Sequence, residues 1–211
     1  MSAPYRLITI PPSHYCEKAR WALEKAGVEF REEPHPPLFH LRAVRAAGGR
    51  HSTPVLRGRG VVVTDSTEIL EYLQQAHGER WCPYPLDSQL RAETAELEEL
   101  FDTELGPHSR RLAYFHLLPH RRLLLSSVLA GVGRAEAAAF RVVRPLVVSL
   151  LRRSMRITPD GAERSLERVK EVFATVAERL ADRRDFLVGN AFTAADLSFA
   201  ALAAPVVLPR N

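Results

Sequence analysis

The stretch that most constrains this sequence is a turn from an apolar segment into a helix. Leu7-Ile8-Thr9-Ile10 is followed by two prolines, and Ser13 then opens a helical pattern that ends at Gly27. Serine is a favoured N-cap residue because its side-chain oxygen accepts a hydrogen bond from a free N–H of the first helical turn. The stretch therefore predicts a strand, a short loop and a helix that begins at Ser13.

Cys16 falls in the first turn of that helix. Free N–H groups and the helix dipole favour negative charge there, so we predict a lowered pKa for the Cys16 thiol. The same place would stabilise an external thiolate or carboxylate. The stretch indicates a thiol-handling site, and an ordinary capped helix with one half-buried cysteine is the alternative that it leaves open.

Composition limits the classes of protein. Hydrophobic residues make up 46% of the 211 residues and charged residues 26%, as in ordinary globular proteins that are soluble in water. Two cysteines, Cys16 and Cys82, do not suggest a disulfide scaffold, which fits a reducing compartment. The N-terminal sequence has no signal-peptide pattern, and no apolar stretch is long enough to span a bilayer. We therefore expect a cytoplasmic protein with no membrane partner.

The net charge of +4 comes from arginine, since 26 of the 29 basic residues are Arg. Such a bias is typical of a GC-rich genome. The Arg pairs are spread through helical segments, whereas a nucleic-acid site needs a concentrated basic face, so no nucleic-acid partner is predicted. The cysteines and histidines lack the spacing of metal ligands, so no metal is predicted.

The first third of the chain alternates strand and helix patterns. The order is strand, helix, strand, then a loop with a short helix, then strand, strand, helix, which predicts a βαβ unit followed by an antiparallel hairpin and a final helix. The predicted strands are 5–10, 28–33, 53–57 and 61–64, and the predicted helices are 13–26, 38–47 and 67–77, the last capped by Asp65-Ser66.

The pattern changes near residue 80. Residues 80–86 contain two prolines and are interpreted as a linker, and amphipathic helical spacing dominates afterwards. Helices are predicted at 87–105, 119–155 and 161–182, with Gly131, Gly133 and Pro145 breaking or kinking the middle one. The fold class is therefore α/β plus all-α, with an α/β domain at 1–79 and an all-helical domain at 87–211.

Three motifs together carry a family resemblance. They are Ser13-x-x-Cys16 at the first helix, Thr53-Pro54-Val55 at the third strand, and Asp65-Ser66 at the helix after the fourth strand. The set resembles the thioredoxin-like domain of glutathione S-transferases, especially bacterial members whose first helix reads much like Ser-His-Tyr-Cys-Glu-Lys-Ala-Arg-Trp-Ala-Leu. In the second domain, residues 186–197 look like the buried helix of that family, with Thr193 and Asp196 as a capping-box variant.

The resemblance implies roles for these residues. The Thr53–Pro54 bond would be cis, the backbone of Val55 would pair with the cysteinyl part of glutathione, and Asp65-Ser66 would hold its γ-glutamyl end. A loop residue would bind the glycyl carboxylate, and His40, Arg50 and His51 are equivalent candidates. Ser13 would stabilise the thiolate of glutathione.

The implied activity is conjugation of glutathione, as co-substrate, to small hydrophobic electrophiles in detoxification, by a homodimer. Two other functions stay open: a thiol–disulfide or deglutathionylating oxidoreductase acting through Cys16, and a non-catalytic binding protein of the same fold. A buried packing role is the better interpretation of Cys16, and an exposed loop position that of His14. The chain ends at Asn211, where the family usually continues, so we expect a more open acceptor pocket or a shortened chain.

Overall fold

The computed structural model describes residues 4–207 and begins with a four-stranded sheet. The strands stand in the order β2-β1-β3-β4; β1 is parallel to β2 and antiparallel to β3, and β3 is antiparallel to β4. The predicted βαβ unit and antiparallel hairpin are therefore confirmed. The strands are β1 (Tyr5–Thr9), β2 (Phe30–Pro34), β3 (Val55–Gly58) and β4 (Val61–Val63).

Helices make up the regular structure of the rest of the described chain. This thioredoxin-like domain followed by a helical domain confirms the predicted fold class. The helices are α1 (His14–Lys25), α2 (His40–Ala46), α3 (Ser66–His77), α4 (Ser88–Leu100), α5 (Gly106–Leu117), α6 (Arg121–Val128), α7 (Arg134–Ser154), α8 (Pro159–Arg179) and α9 (Ala194–Ala203). The exact limits of the two domains stay a prediction, and residues 1–3 and 208–211 lie outside the described residues.

Helix α9 joins the cores of the two domains. Leu197, near its start, packs into the core formed by the sheet, α1 and α3, whereas Leu202, near its end, packs into the core of the helical domain. The predicted cap of α9 is present: Asp196 accepts hydrogen bonds from the backbone N–H of Thr193 and of Leu187, both at 2.8 Å. Because α9 packs into both cores, its buried side chains hold the two domains together.

One predicted helix end is wrong. The sequence predicts a helix that stops at 105, but α4 continues through a π-helical turn, Phe101–Leu105, into α5. Gly106 and Pro107 resemble a helix stop, yet proline is tolerated in the first turn of a helix, where its missing N–H has no partner to lose. Pro145 likewise lies inside α7, while Gly131 and Gly133 do separate α6 from α7.

Among residues 4–207, no helix combines the length and the apolar character needed to cross a membrane.

Candidate active site

The sheet register brings the three sequence motifs to one edge. Ile8 of β1 is aligned with Val55 of β3, and Leu56 of β3 with Val63 of β4. The end of β1, the start of β3 and the end of β4 therefore lie side by side. Each is followed or preceded directly by a motif: the loop to Ser13, the Thr53–Pro54 bond, and the turn to Asp65.

Ser13 caps α1 as predicted. Its backbone is extended (φ −79°, ψ 117°), and its side-chain oxygen accepts a hydrogen bond from the backbone N–H of Cys16 at 3.4 Å. The hydroxyl is half-buried and lines a cavity. Because a capping oxygen accepts its bond, the hydroxyl proton is free to be donated to an anion in that cavity.

Cys16 faces the interior rather than the cavity. Its side chain is 0% exposed, and burial raises the pKa of its thiol, although Ser13 and Thr53 lie within hydrogen-bonding reach of the sulfur. The predicted lowering of the thiol pKa is therefore wrong, because complete removal from water outweighs the helix terminus. Burial agrees with the packing interpretation of Cys16, and its catalytic role stays a prediction.

The Thr53–Pro54 bond is cis, as the resemblance implied. Pro54 and Val55 are buried, and Val55 opens β3 next to Ile8. The backbone of this segment is thus held at the sheet edge beside the start of α1.

Asp65 and Ser66 begin α3. The Asp65 carboxylate is exposed and accepts a hydrogen bond from the backbone N–H of Thr67 at 2.8 Å, so it is the N-cap. Ser66 is buried in the first turn, where a helix attracts carboxylates. Their predicted role in binding the γ-glutamyl end stays a prediction.

His40 opens α2 and faces the loop that precedes Pro54. Its Nε2 lies 3.2 Å from the carbonyl oxygen of His51, and burial lowers the pKa of His40. Its Nδ1 is buried and has no hydrogen-bond partner within residues 4–207. Arg50 and His51 are exposed. The structure thus brings His40 and His51 together, and the choice among the three candidates for the glycyl carboxylate stays open.

His14 is the clearest error of the sequence interpretation. It is 4% exposed instead of lying free on a loop, because the helical domain covers it. Its Nε2 lies 3.0 Å from the carbonyl oxygen of Gly106, and burial together with the positive charge of Arg110 lowers the pKa of His14 to about 3. The imidazole is therefore neutral near pH 7, and since a carbonyl only accepts, Nε2 carries the proton.

Gly106 allows this close approach. A Cβ at residue 106 would overlap the hydroxyl oxygen of Tyr15 and would stand 3.4 Å from Nε2 of His14. The Tyr15 hydroxyl donates to the backbone carbonyl of Asp102, in the π-helical turn, at 2.7 Å. The start of α1 is therefore seated on the junction of α4 and α5, where π-helical turns often mark functional sites.

A buried polar cluster sits below this contact. Lys18 is 0% exposed, and its Nζ lies 2.7 Å from carboxylate oxygens of both Glu98 and Asp102. The Lys18 ammonium also donates to the hydroxyl of Thr67 at 3.1 Å, and the Tyr84 hydroxyl donates to Glu98 at 2.6 Å. Burial raises the pKa of Asp102 despite the lysine. The cluster joins α1 and α3 of the first domain to α4 of the second.

A cavity of about 810 Å³ opens beside Ser13, between the two domains. We call its first-domain side, residues 11–17, the motif wall, and its other side the helical wall. The motif wall includes Pro11, Ser13, His14 and Glu17. The helical wall includes Arg110, Ala113 and Leu117 of α5, Leu123 of α6, and Ala204 and Pro205 after α9. Its mainly apolar side chains fit a small hydrophobic molecule.

Sequence patterns missed the helical wall and the buried cluster. Arg110, Asp102 and Glu98 lie in helices whose spacing shows only an amphipathic pattern. The single available signal was Gly106-Pro107, directly after the helix predicted at 87–105. Within residues 4–207, no group of three or more His, Cys, Asp or Glu side chains is placed to hold a metal ion.

Comparison with known proteins places the chain in a family. The sequence profile described as "Glutathione S-transferase, N-terminal domain" matches residues 7–81, and that of "Glutathione S-transferase, C-terminal domain" matches residues 159–208. The chain therefore belongs to the glutathione S-transferase family. No protein with a curated function matches its sequence.

Solved structures agree in fold at low sequence identity. The beta-etherase LigF from Sphingobium sp. strain SYK-6 is 21% identical with a TM-score of 0.72, covering 98% of this chain and 85% of its own. Glutathione transferase GSTFuA3 from Phanerochaete chrysosporium is 20% identical (TM-score 0.68; 99% and 86% covered). Glutathione transferase URE2P8 from the same fungus, solved with oxidized glutathione, is 17% identical (TM-score 0.66; 99% and 81% covered).

Proposed function

We propose that the protein is a glutathione transferase that uses the Ser13 hydroxyl to stabilise the glutathione thiolate and joins that sulfur to an electrophile bound in the cavity. The observation that carries the proposal is the position of Ser13. Its hydroxyl caps α1 and also lines a largely apolar cavity, at the sheet edge that holds Pro54 and Asp65.

The residues at this edge fit the parts of glutathione. A carboxylate is stabilised at the start of α3, where Ser66 is buried and Asp65 caps the helix. The extended backbone at Val55 can form hydrogen bonds with the backbone of a peptide such as glutathione, in the way that a peptide adds to the edge of a sheet. Ser13, at the start of α1, meets the sulfur that lies between these two contacts.

Two effects would lower the pKa of the bound thiol. The Ser13 hydroxyl donates a hydrogen bond to the thiolate, and the start of α1 favours negative charge. The thiol proton leaves to solvent, the sulfur forms a bond to the electrophilic carbon, and the leaving group departs from that carbon with the electron pair of the broken bond. The apolar helical wall keeps that electrophile close and excludes water, which strengthens both effects.

Burial makes Cys16 a poor nucleophile. A thiol must be exposed and ionised to attack a disulfide, whereas Cys16 is 0% exposed with a raised pKa. This observation supports the transferase over the oxidoreductase, and it leaves a non-catalytic binding protein as the second candidate.

Calorimetry with glutathione and the ultraviolet absorbance of the bound thiolate against pH test the proposal. We expect Ser13→Ala to raise the pKa of the bound thiol and to lower the conjugation rate roughly 10- to 100-fold, the range for one hydrogen bond to a charged group. Ser13→Gly retains nearly all N-cap stability, so an equal loss of rate in this variant assigns the effect to the hydroxyl. Cys16→Ala should keep its rate.

The opposite pattern, loss in Cys16→Ala with an active Ser13→Ala, would establish the oxidoreductase. Wild type that fails to bind millimolar glutathione would exclude a glutathione transferase and would leave two candidates, an enzyme that uses another small thiol and a binding protein. The homodimer, the bacterial origin, the cytoplasmic location and a role in detoxification are further predictions from the family, and sedimentation equilibrium tests the first.

A further inference from the structure

Arg110 is a cation on the helical wall without an acidic partner. Its Nε is buried and has no hydrogen-bond partner, and no carboxylate lies within ion-pair distance of its guanidinium in the described chain. Helix neighbours three and four positions away could pair with it, but these are Gly106, Pro107, Ala113 and Tyr114. A partly buried cation normally has a counter-charge.

Neighbouring charged residues do have partners. The guanidinium of Arg111 donates to the backbone carbonyl of Met155 at 2.8 Å and to the hydroxyl of Ser165 at 2.9 Å, so it holds α5 to α8. On the motif wall, Glu17 is paired with Arg20 at 2.5 Å. The negative charge of Glu17 is thus neutralised by a residue of the protein, whereas the positive charge of Arg110 is not.

The groups packed nearest to Arg110 do not supply a negative charge. His14 is held neutral, in part by Arg110 itself, and Tyr114 and Tyr15 are phenols at neutral pH. The guanidinium carbon is 6.0 Å from the centre of the Tyr15 ring, at the outer limit of a cation–π contact. The positive charge of Arg110 therefore remains directed to the cavity that it lines.

The rest of the helical wall is mainly apolar and includes Leu112, Ala113, Leu117 and Leu123; its other polar side chains, His116, His120 and Ser127, carry no negative charge. We propose that the electrophile is an apolar molecule that carries a carboxylate, and that Arg110 binds this carboxylate while the apolar wall binds the rest. The proposal rests on the proposed function for the reaction, although binding of the acid does not require it. A planar guanidinium suits a carboxylate because it can donate two parallel hydrogen bonds.

An aryl chloride gives a balanced test reaction. The thiolate sulfur of glutathione forms a bond to the ring carbon that carries chlorine, and chloride leaves with the electron pair of the broken bond. The thiol proton passes to solvent, and the carboxylate on the ring does not react. The preference for an acidic substrate then comes from the orientation of its ring, which is fixed when Arg110 binds the carboxylate.

The experiment compares 4-chloro-3-nitrobenzoate with its methyl ester, each rate divided by the uncatalysed rate with glutathione. We expect Arg110→Gln to lower kcat/KM for the acid roughly 10- to 100-fold relative to the ester, the range for a hydrogen bond to a charged group. Arg110→Lys keeps the charge but loses the paired geometry, so its loss should be smaller. Arg141→Gln removes an exposed charge on α7 and should leave the acid-to-ester ratio unchanged.

A binding measurement separates this proposal from the transferase reaction. The measurement is equilibrium dialysis with unreactive 3-nitrobenzoate and its methyl ester, in the absence of glutathione. Arg110→Gln should weaken binding of the acid and leave binding of the ester unchanged. If wild type fails to bind glutathione, the proposed function is lost, but this binding difference still decides the role of Arg110. If Arg110→Gln is folded and changes the affinities for acid and ester equally, the proposal that Arg110 binds the carboxylate is wrong.

Discussion

The motif wall and the helical wall of the cavity differ in chemistry and in the way they are held. The motif wall presents Ser13 beside a cis peptide bond and two helix starts, and each feature is set within a few residues by a cap or a turn. The helical wall presents apolar side chains and Arg110, held by helix packing.

This difference assigns separate tasks to the two walls. In the proposed function, the motif wall activates the sulfur, and the helical wall selects the electrophile. The contact between them, through His14, Tyr15 and Lys18, decides whether both face the same space. Variants at this contact should therefore damage the cavity even though Ser13 itself is unchanged.

The largest effect is expected from Lys18→Met. The change leaves the carboxylates of Glu98 and Asp102 buried without their cation, which typically costs about 3–5 kcal/mol of unfolding free energy. Urea unfolding measures it. Lys170→Met is the matched control, because Lys170 forms an exposed pair with Glu167 that is worth roughly 0–1 kcal/mol.

Adding Asp102→Asn to Lys18→Met should restore part of the loss by removing one unpaired charge. An unfolding free energy of Lys18→Met within about 1 kcal/mol of wild type would show that the cluster does not join the domains as described.

The next effect is a pH dependence caused by His14. The pKa of His14 is about 3 in the folded chain and 6.5 when unfolded, so below pH 6.5 the unfolded chain binds a proton that the folded chain does not. The contribution of His14 to the unfolding free energy is therefore fully present above pH 6.5 and is lost as the pH is lowered towards 3. At about pH 5 the loss is roughly 2 kcal/mol, since each pKa unit is worth about 1.4 kcal/mol.

Denaturant unfolding at about pH 7.5 and pH 5, in wild type and His14→Gln, measures this loss. Glutamine can still donate to the Gly106 carbonyl but does not titrate in this range, so the variant should lose about 2 kcal/mol less on acidification. The lowered pKa values of His40, His77 and His108 affect both proteins equally and cancel in the difference. Equal pH dependence would mean that His14 is exposed to water.

The smallest effect is expected from Gly106→Ala, and its sign is informative. Helix propensity alone would stabilise the variant by about 1 kcal/mol. The new methyl group would instead meet the Tyr15 hydroxyl, and overpacking of this kind costs about 1–3 kcal/mol. We expect net destabilisation of about 1 kcal/mol, measured by thermal or urea unfolding.

Tyr15→Phe in the Gly106→Ala background removes the hydroxyl oxygen that the methyl group would meet. A double-mutant cycle should then show a favourable coupling between the two changes. If Gly106→Ala is more stable than wild type, α1 does not approach α5 as closely as the structure has it.

Much of the first domain was predictable because its determinants are local. Short apolar runs predicted the strands and glycines predicted the hairpin. Asp65 and Ser13 marked two helix starts, because each accepts a hydrogen bond from a residue two or three positions away. The helix at 87–105 was predicted at the right place but ended too early, since a proline in a first helical turn and a proline that ends a helix look the same in sequence.

The sequence by itself determined the strand and helix order, the capped starts of α1 and α3, and the position of Ser13 in a thiol-handling motif. Only the tertiary structure decided that His14 and Cys16 are buried, that Lys18 joins two carboxylates, and that Arg110 shares a cavity with Ser13. The reason is physical. Caps act within one helical turn, whereas the partners of His14, Tyr15 and Lys18 in the helical domain lie 80 to 92 residues away and meet them only when the domains pack.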